Sequence, residues 1–110
     1  MRRGGFEARL PPMTDYRVGV AVSRRAERRV TWIEANRADL RPTRAGRADD
    51  DVVRVVISIP AGTEADAVEQ AMAVFDKAAK MTADGILASQ LGVIGAEAWK
   101  AGDPAPDDYR

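Results

Sequence analysis

The sequence predicts an α+β fold: a small three-stranded antiparallel sheet packed on one long helix, in the order βββα, with a short C-terminal helix, all in a single domain. Three observations carry that expectation. Residues 16–23 and 52–59 alternate β-branched residues with small or polar ones at a period of two. Residues 64–84 are rich in alanine, free of glycine and proline, and follow a threonine suited to capping. A chain of 110 residues, with 20 alanines in its apolar set, supplies one small core and not two.

Residues 1–14 (MRRGGFEARLPPMT) have no periodicity and carry Gly4-Gly5 and Pro11-Pro12, so they are expected to form a mobile tail. Met13 opens the patterned region and is one candidate for the natural start, which the sequence leaves open. The domain is expected over residues 15–100. In its first strand Tyr16, Val18, Val20 and Val22 face one way, and Arg17, Gly19, Ala21 and Ser23 the other. Residues 29–35 resume the alternation, with Val30 and Trp32 opposed to Thr31 and Ile33. Two such runs joined by about five polar residues predict a hairpin. Its tip would carry Arg24, Arg25, Arg28 and Arg29.

Residues 36–51 form a long polar connection in which Pro42 and Gly46 argue against regular structure. Val53, Val55, Ile57 and Ile59 then face the core, and Pro60 ends the strand. Thr63 is the expected N-cap of the long helix, with Glu64 and Asp66 complementing its dipole. Ala65, Val68, Met72, Phe75 and Ala79 form its expected core stripe. Ala67, Ala71, Val74 and Ala78 lie on a neighbouring stripe. Their small side chains permit close approach by another helix, either residues 86–99 or a second subunit, and they are the candidate protein interface. In residues 86–100, Leu87, Leu91, Ile94 and Ala98 fit a helical face that Gly92 and Gly95 interrupt, which gives a short second helix or two broken turns. Residues 101–110 read as an acidic, disordered tail without core residues.

The composition excludes several chemistries. The chain has no Cys and no His, so it offers no thiolate nucleophile, imidazole base, disulfide framework or Cys/His metal site. Neither G-x-x-x-x-G-K-[ST] nor G-x-G-x-x-G occurs. Asp49-Asp50-Asp51 carries the residue type that hard cations want. Three adjacent acids cannot converge on one ion without a sharp turn, so a solvated acidic run is expected. Glu34 and Asp39 have nothing that brings them together as an acid/base pair. The expectation is therefore a protein that is not an enzyme and has no cofactor and no metal. No apolar run approaches the ~20 residues a membrane helix needs, so no membrane contact and a cytoplasmic location are expected.

Charge is divided along the chain. Residues 1–47 hold 12 arginines against five acids, about +7, and residues 48–110 hold five bases against 12 acids, about −7. Two functions fit. The leading one is a non-catalytic protein-interaction or assembly module that self-associates or binds a protein partner. The alternative is a small nucleic-acid-binding or regulatory protein, with phosphate contacts from Arg17, Arg24, Arg25, Arg28, Arg29 and Arg54 on a ribbon and a sheet face. The predicted layout is similar to that of integrase-type DNA-binding domains, and the segment Ala71…Val74-Phe75-Asp76-Lys77-Ala78-Ala79 resembles their helix. That analogy of layout assigns no residue a role. The zero net charge favours the interaction module.

Overall fold

The two segments with the clearest alternation do pair with each other, at the centre of the sheet. The computed structural model describes residues 13–46, 49–82 and 92–110. In chain order the elements are β1 (Thr14–Ser23), α1 (Glu27–Asn36), β2 (Thr43–Arg44), β3 (Val52–Ala61), α2 (Glu64–Met81) and β4 (Val93–Lys100). Short 3-10 turns lie at Arg24–Ala26, Ala38–Leu40 and Asp107–Tyr109. The sheet order is β2-β3-β1-β4, with every neighbouring pair antiparallel. A βαββαβ chain with that order is the split-βαβ, or ferredoxin-like, arrangement. The sheet thus has four strands where the sequence predicts three.

β1 and β3 are in register from Thr14 opposite Ala61 to Ser23 opposite Val52. Directly opposed residues share a face. One face therefore gathers Val18, Val20 and Val22 with Val53, Val55, Ile57 and Ile59, all buried as expected. Val30 and Ile33 of α1 and Ala67, Ala71, Phe75 and Ala78 of α2 complete the same core.

Residues 29–35 are helix, not strand, so the arginine-tipped hairpin does not form. The β-branched residues Val30, Thr31 and Ile33 imitate a strand. The buried positions Ala26, Val30 and Ile33 instead recur at i, i+4 and i+7, the period of a helix face. The Ser23 hydroxyl accepts from the Arg25 N–H at 3.3 Å and starts the turn that leads into α1.

Residues 93–100, expected to be helical or irregular, form β4 against β1. A bulge between Ala21 and Val22 shifts the register there and leaves Ile94 outside the pairing, which hides the alternation of Ala96 and Ala98 with Glu97 and Trp99. Residues 36–51 are more ordered than their composition suggests. Leu40 is buried in the second 3-10 turn, and Thr43 and Arg44 pair with Val56 and Val55.

The long helix forms as expected from Glu64, with the Thr63 hydroxyl accepting from the Asp66 N–H at 3.0 Å. Its buried face is rotated from the expected stripe. Ala67, Ala71, Phe75, Ala78 and Ala79 are buried, Val68 and Met72 are half-buried, and Ala65 is exposed. Alanines lie against the sheet because they let the helix backbone come close, and the larger side chains fill the flanks. Of the tail expected over residues 1–14, Thr14 belongs to β1, while residues 1–12 and most of the segment joining α2 to β4 lie outside the described residues.

Candidate functional site

The arginine candidates separate. Arg24 and Arg25 lie in the first 3-10 turn, and Arg28 and Arg29 on α1, where Arg29 is fully buried. Arg17 and Arg54 lie across the sheet, and Arg17 pairs with Asp15 at 3.0 Å. Arg24 ties down the loop before β3: its guanidinium donates to the Asp49 carbonyl at 2.6 Å and the Asp50 carbonyl at 3.4 Å. Its own N–H donates to the Asp51 carbonyl at 2.8 Å. The Asp49 carboxylate accepts from the Asp51 N–H at 3.0 Å, so the triple-aspartate run forms a local turn. Among the described residues no cluster of three acids is placed to hold a metal.

Arg44 of β2 holds this corner to α1. It donates through two nitrogens to both oxygens of Glu34, each at 3.0 Å, and through a third to Glu27. Arg24 reaches Glu27 as well, at 3.3 Å. Hydrogen bonds from Arg44 and then Arg24 hold the Glu27 carboxyl below its ordinary value. Glu34 and Asp39 do not meet: Glu34 bonds Arg44, and Asp39 takes a forked pair from Arg37. The cleft beside this corner, about 260 Å³, is lined by Arg24, Arg44, Gly46, Asp49, Val53 and Arg54.

The candidate interface Ala67, Ala71, Val74 and Ala78 is used within the chain. The three alanines are buried in its own core and Val74 is half-buried, so the close approach they permit is spent on the sheet and α1.

The second sheet face is partly covered too. It carries Arg17, Gly19 and Ala21 of β1, Arg54, Val56 and Ser58 of β3, and Glu97 and Trp99 of β4. The sheet face expected to carry phosphate contacts is covered at its centre. Residues 101–110 turn back over the sheet and seat Tyr109 on Gly19, leaving the tyrosine only 7% exposed. A Cβ at position 19 would lie 2.7 Å from two ring carbons, so only glycine leaves room for the ring. Trp99 flanks the ring, with centroids 5.7 Å apart at 39°. Burial, and then the charge of Glu97, push the Tyr109 phenol up to about 12.

This cover is attached by side chain rather than by backbone. Its main-chain bonds to the sheet lie at its start: Ala101 N–H to the Asp15 carbonyl at 2.8 Å and Asp103 N–H to the Lys100 carbonyl at 3.0 Å. Gly102 then turns at φ +98°. Beyond it Tyr109 N–H bonds Pro106, and Arg110 bonds Asp107 and Ala105, all within the segment. The Asp108 carbonyl packs on Gly46, at φ +85°, where a side chain would collide with it. Burying one tyrosine side chain is worth about 2 kcal/mol, and its ring pair with Trp99 about 0.5–1 kcal/mol more.

The outer edge of β4 is the remaining feature. The Ala101–Asp15 bond makes that pair a hydrogen-bonded one, and such pairs alternate along an antiparallel ladder. Trp99 and Glu97 therefore turn their main-chain groups toward Arg17 and Gly19 of β1. Ala96, Ala98 and Lys100 turn theirs outward. The Lys100 carbonyl accepts from Asp103 N–H at 3.0 Å. Among the described residues, Ala96 and Ala98 have no strand on that side. Ile94, 59% exposed, sits at one end of this edge. The opposite edge, β2, is two residues long.

The sequence expectations named the arginines and the alanines but missed Tyr109, Gly19 and the β4 edge. The one available signal was a tyrosine among acids and prolines near the end of the chain.

Among the described residues no helix is long and apolar enough to cross a membrane. No protein-family model matches the chain, and no curated protein matches it. A solved structure is similar: the C-terminal domain of the MgtC protein from Mycobacterium tuberculosis, at 16% identity and a TM-score of 0.45, covering 82% of this chain and 89% of that one. A likeness at that distance carries no function to this chain.

Proposed function

We propose that this chain is a non-catalytic assembly module that pairs with a second copy through the outer edge of β4. The observation that carries this reading is the outward-turned backbone of Ala96 and Ala98 on an eight-residue edge strand. An edge with unpaired N–H and C=O groups is a template for another strand. Its alanines present little bulk, and the charged residues on it are Glu97 and Lys100. An antiparallel two-fold pair with Ala98 opposite its own copy sets Glu97 opposite Trp99. It thereby avoids the like-charge contact that centring on Glu97 would create. The result is a continuous eight-stranded sheet with all four helices on one side.

The non-catalytic part rests on the pairing of carboxylates: Glu27 and Glu34 bond Arg44, Asp39 bonds Arg37, and Asp49 accepts a local bond. A nucleic-acid contact has less support, because Arg29 is buried, Arg17 pairs with Asp15, and Arg24 is spent on Glu27 and on the Asp49 and Asp50 carbonyls.

Light scattering over a range of protein concentrations tests the reading. The wild-type chain is expected to reach twice its monomer mass. Ile94→Asp, at an exposed position, and Ala96→Pro, which removes only an outward N–H, are expected to remain monomers with unchanged circular dichroism. A wild-type chain that stays monomeric at all concentrations, or variants that assemble as wild type does, would refute it.

A further inference from the structure

We propose that the C-terminal segment guards the outer edge of β4. Seated, it occupies the place beside Lys100 that a second copy's strand needs, so two copies pair along the whole edge only with their segments released. This rests on the β4 pairing proposed above and adds what regulates it.

The edge group concerned is already taken. The Lys100 carbonyl turns outward and accepts from the Asp103 N–H at 3.0 Å. In the two-fold pair centred on Ala98, the partner's Ala96 lies opposite Lys100, and its N–H would donate to that same carbonyl. A ladder bond has the same length, about 2.9–3.0 Å. Asp103 therefore stands where the partner's strand would run, about 4.8 Å outside β4. The carbonyl has a second lone pair, but two main chains cannot fill one place. The two-fold axis repeats the obstruction at the other end of the seam. With both segments seated, the bonds between the two Ala98 residues are what remains of it.

The guard is tied to the seat of Tyr109. Ala101 is fixed by its N–H to the Asp15 carbonyl at 2.8 Å. Residues 105–110 form a block closed on itself, through Tyr109 N–H to the Pro106 carbonyl and Arg110 Nε to the Ala105 carbonyl. Tyr109 holds that block on Gly19. Gly102, Asp103 and Pro104 alone join the two anchors. Gly102 makes the turn at φ +98°, and Pro104 restricts the backbone of Asp103. Such a short link gives Asp103 little room to withdraw while both anchors hold. Release is nevertheless within reach, since a seat worth one aromatic side chain leaves on the order of 1 molecule in 50 open. The need for an open segment weakens pairing by about that factor for each copy.

Light scattering over a range of concentrations reads the dissociation constant of the full chain and its variants. Tyr109→Ala and Gly19→Ala release the segment and are each expected to tighten the pair at least tenfold. Gly102→Ala strains the turn without meeting a neighbour and is expected to tighten it several-fold. Tyr109→Phe keeps the ring and should pair as wild type does. Adding Ala96→Pro to Tyr109→Ala should return a monomer. Pairing that survives that addition would come from the uncovered sheet face and would overturn the proposal. Release variants that pair no more tightly than wild type, with Ala96→Pro still monomeric, would overturn the guard and leave the β4 pairing intact. Release variants that stay monomeric at all concentrations would overturn both. The wild-type chain gives a second measurement, free of any folding defect. Nuclear Overhauser contacts between the Tyr109 ring and the Gly19 α-protons are expected in the monomer and should be lost in the pair. Contacts that persist within each copy of the pair would also overturn the guard.

Discussion

Replacing Gly19 by alanine is expected to evict Tyr109. The added methyl carbon would sit 2.7–2.8 Å from three atoms of the ring, whereas carbon atoms in contact prefer about 3.5–4.0 Å. β1 is paired on both sides, so the strand cannot retreat and the ring must leave. The lost burial and ring pairing amount to about 2–3 kcal/mol, enough to make the seated tail a minor state. The phenol reports the change. Seated, it titrates at about 12; released, it should return toward its ordinary 10.0.

The assay is an alkaline titration followed by the ultraviolet absorbance of tyrosinate. The same chain carrying Tyr109→Phe serves as the blank, so that Tyr16 is subtracted. The midpoint in Gly19→Ala should fall by about two pH units. The sign follows from the raised value: the seat favours the neutral phenol. Its contribution is complete below the ordinary value of 10.0 and is lost as pH rises through about 12. Ionisation can withdraw up to about 3 kcal/mol, close to the whole worth of the seat, so strong base should free the wild-type tail as well. A Gly19→Ala phenol that still titrates near 12 would show that the notch does not hold the ring, and the reasoning would fail.

Two other outcomes follow from the packing. Ala71 is fully buried, so Ala71→Leu should overfill the space between helix and sheet and cost about 1–3 kcal/mol, read as a lowered thermal midpoint. Glu27 is held below its ordinary value by Arg44 and Arg24, so its contribution is present at neutral pH and fades as pH falls through that lowered value. These side chains are about one-third exposed, so screening limits the effect; Glu27→Gln should cost about 1 kcal/mol or less in urea unfolding at neutral pH and nothing in strong acid.

The central pair of strands and the capped helix are legible in the sequence because local pattern and tertiary role agree there. Val53, Val55, Ile57 and Ile59 alternate in a strand buried on one face, and Thr63 caps a helix without breakers. The rest is decided by contacts far apart in sequence. In residues 29–35 the β-branched composition suits a strand while the spacing of Val30 and Ile33 suits a helix face, and the sheet below them selects the helix. The alanines of β4 are poor strand formers, and pairing with Val18 and Val20 overrides that preference. Tyr109 gives no periodic signal at all, since its seat is created by a missing side chain some ninety positions earlier. The candidate site was therefore mostly hidden: Gly19 was visible as a small residue on a strand, but nothing in its neighbourhood says what rests on it.

The central place of β1 has a consequence for how the protein is made. Its two flanks are completed by segments that the ribosome delivers much later, β3 after roughly thirty more residues and β4 after roughly seventy. Joining such distant segments is slow, because the loops between them must first close. Until β4 emerges, a nascent chain carries β1 with a bare side, and a chaperone that shields short valine-rich runs would be expected to act during that interval.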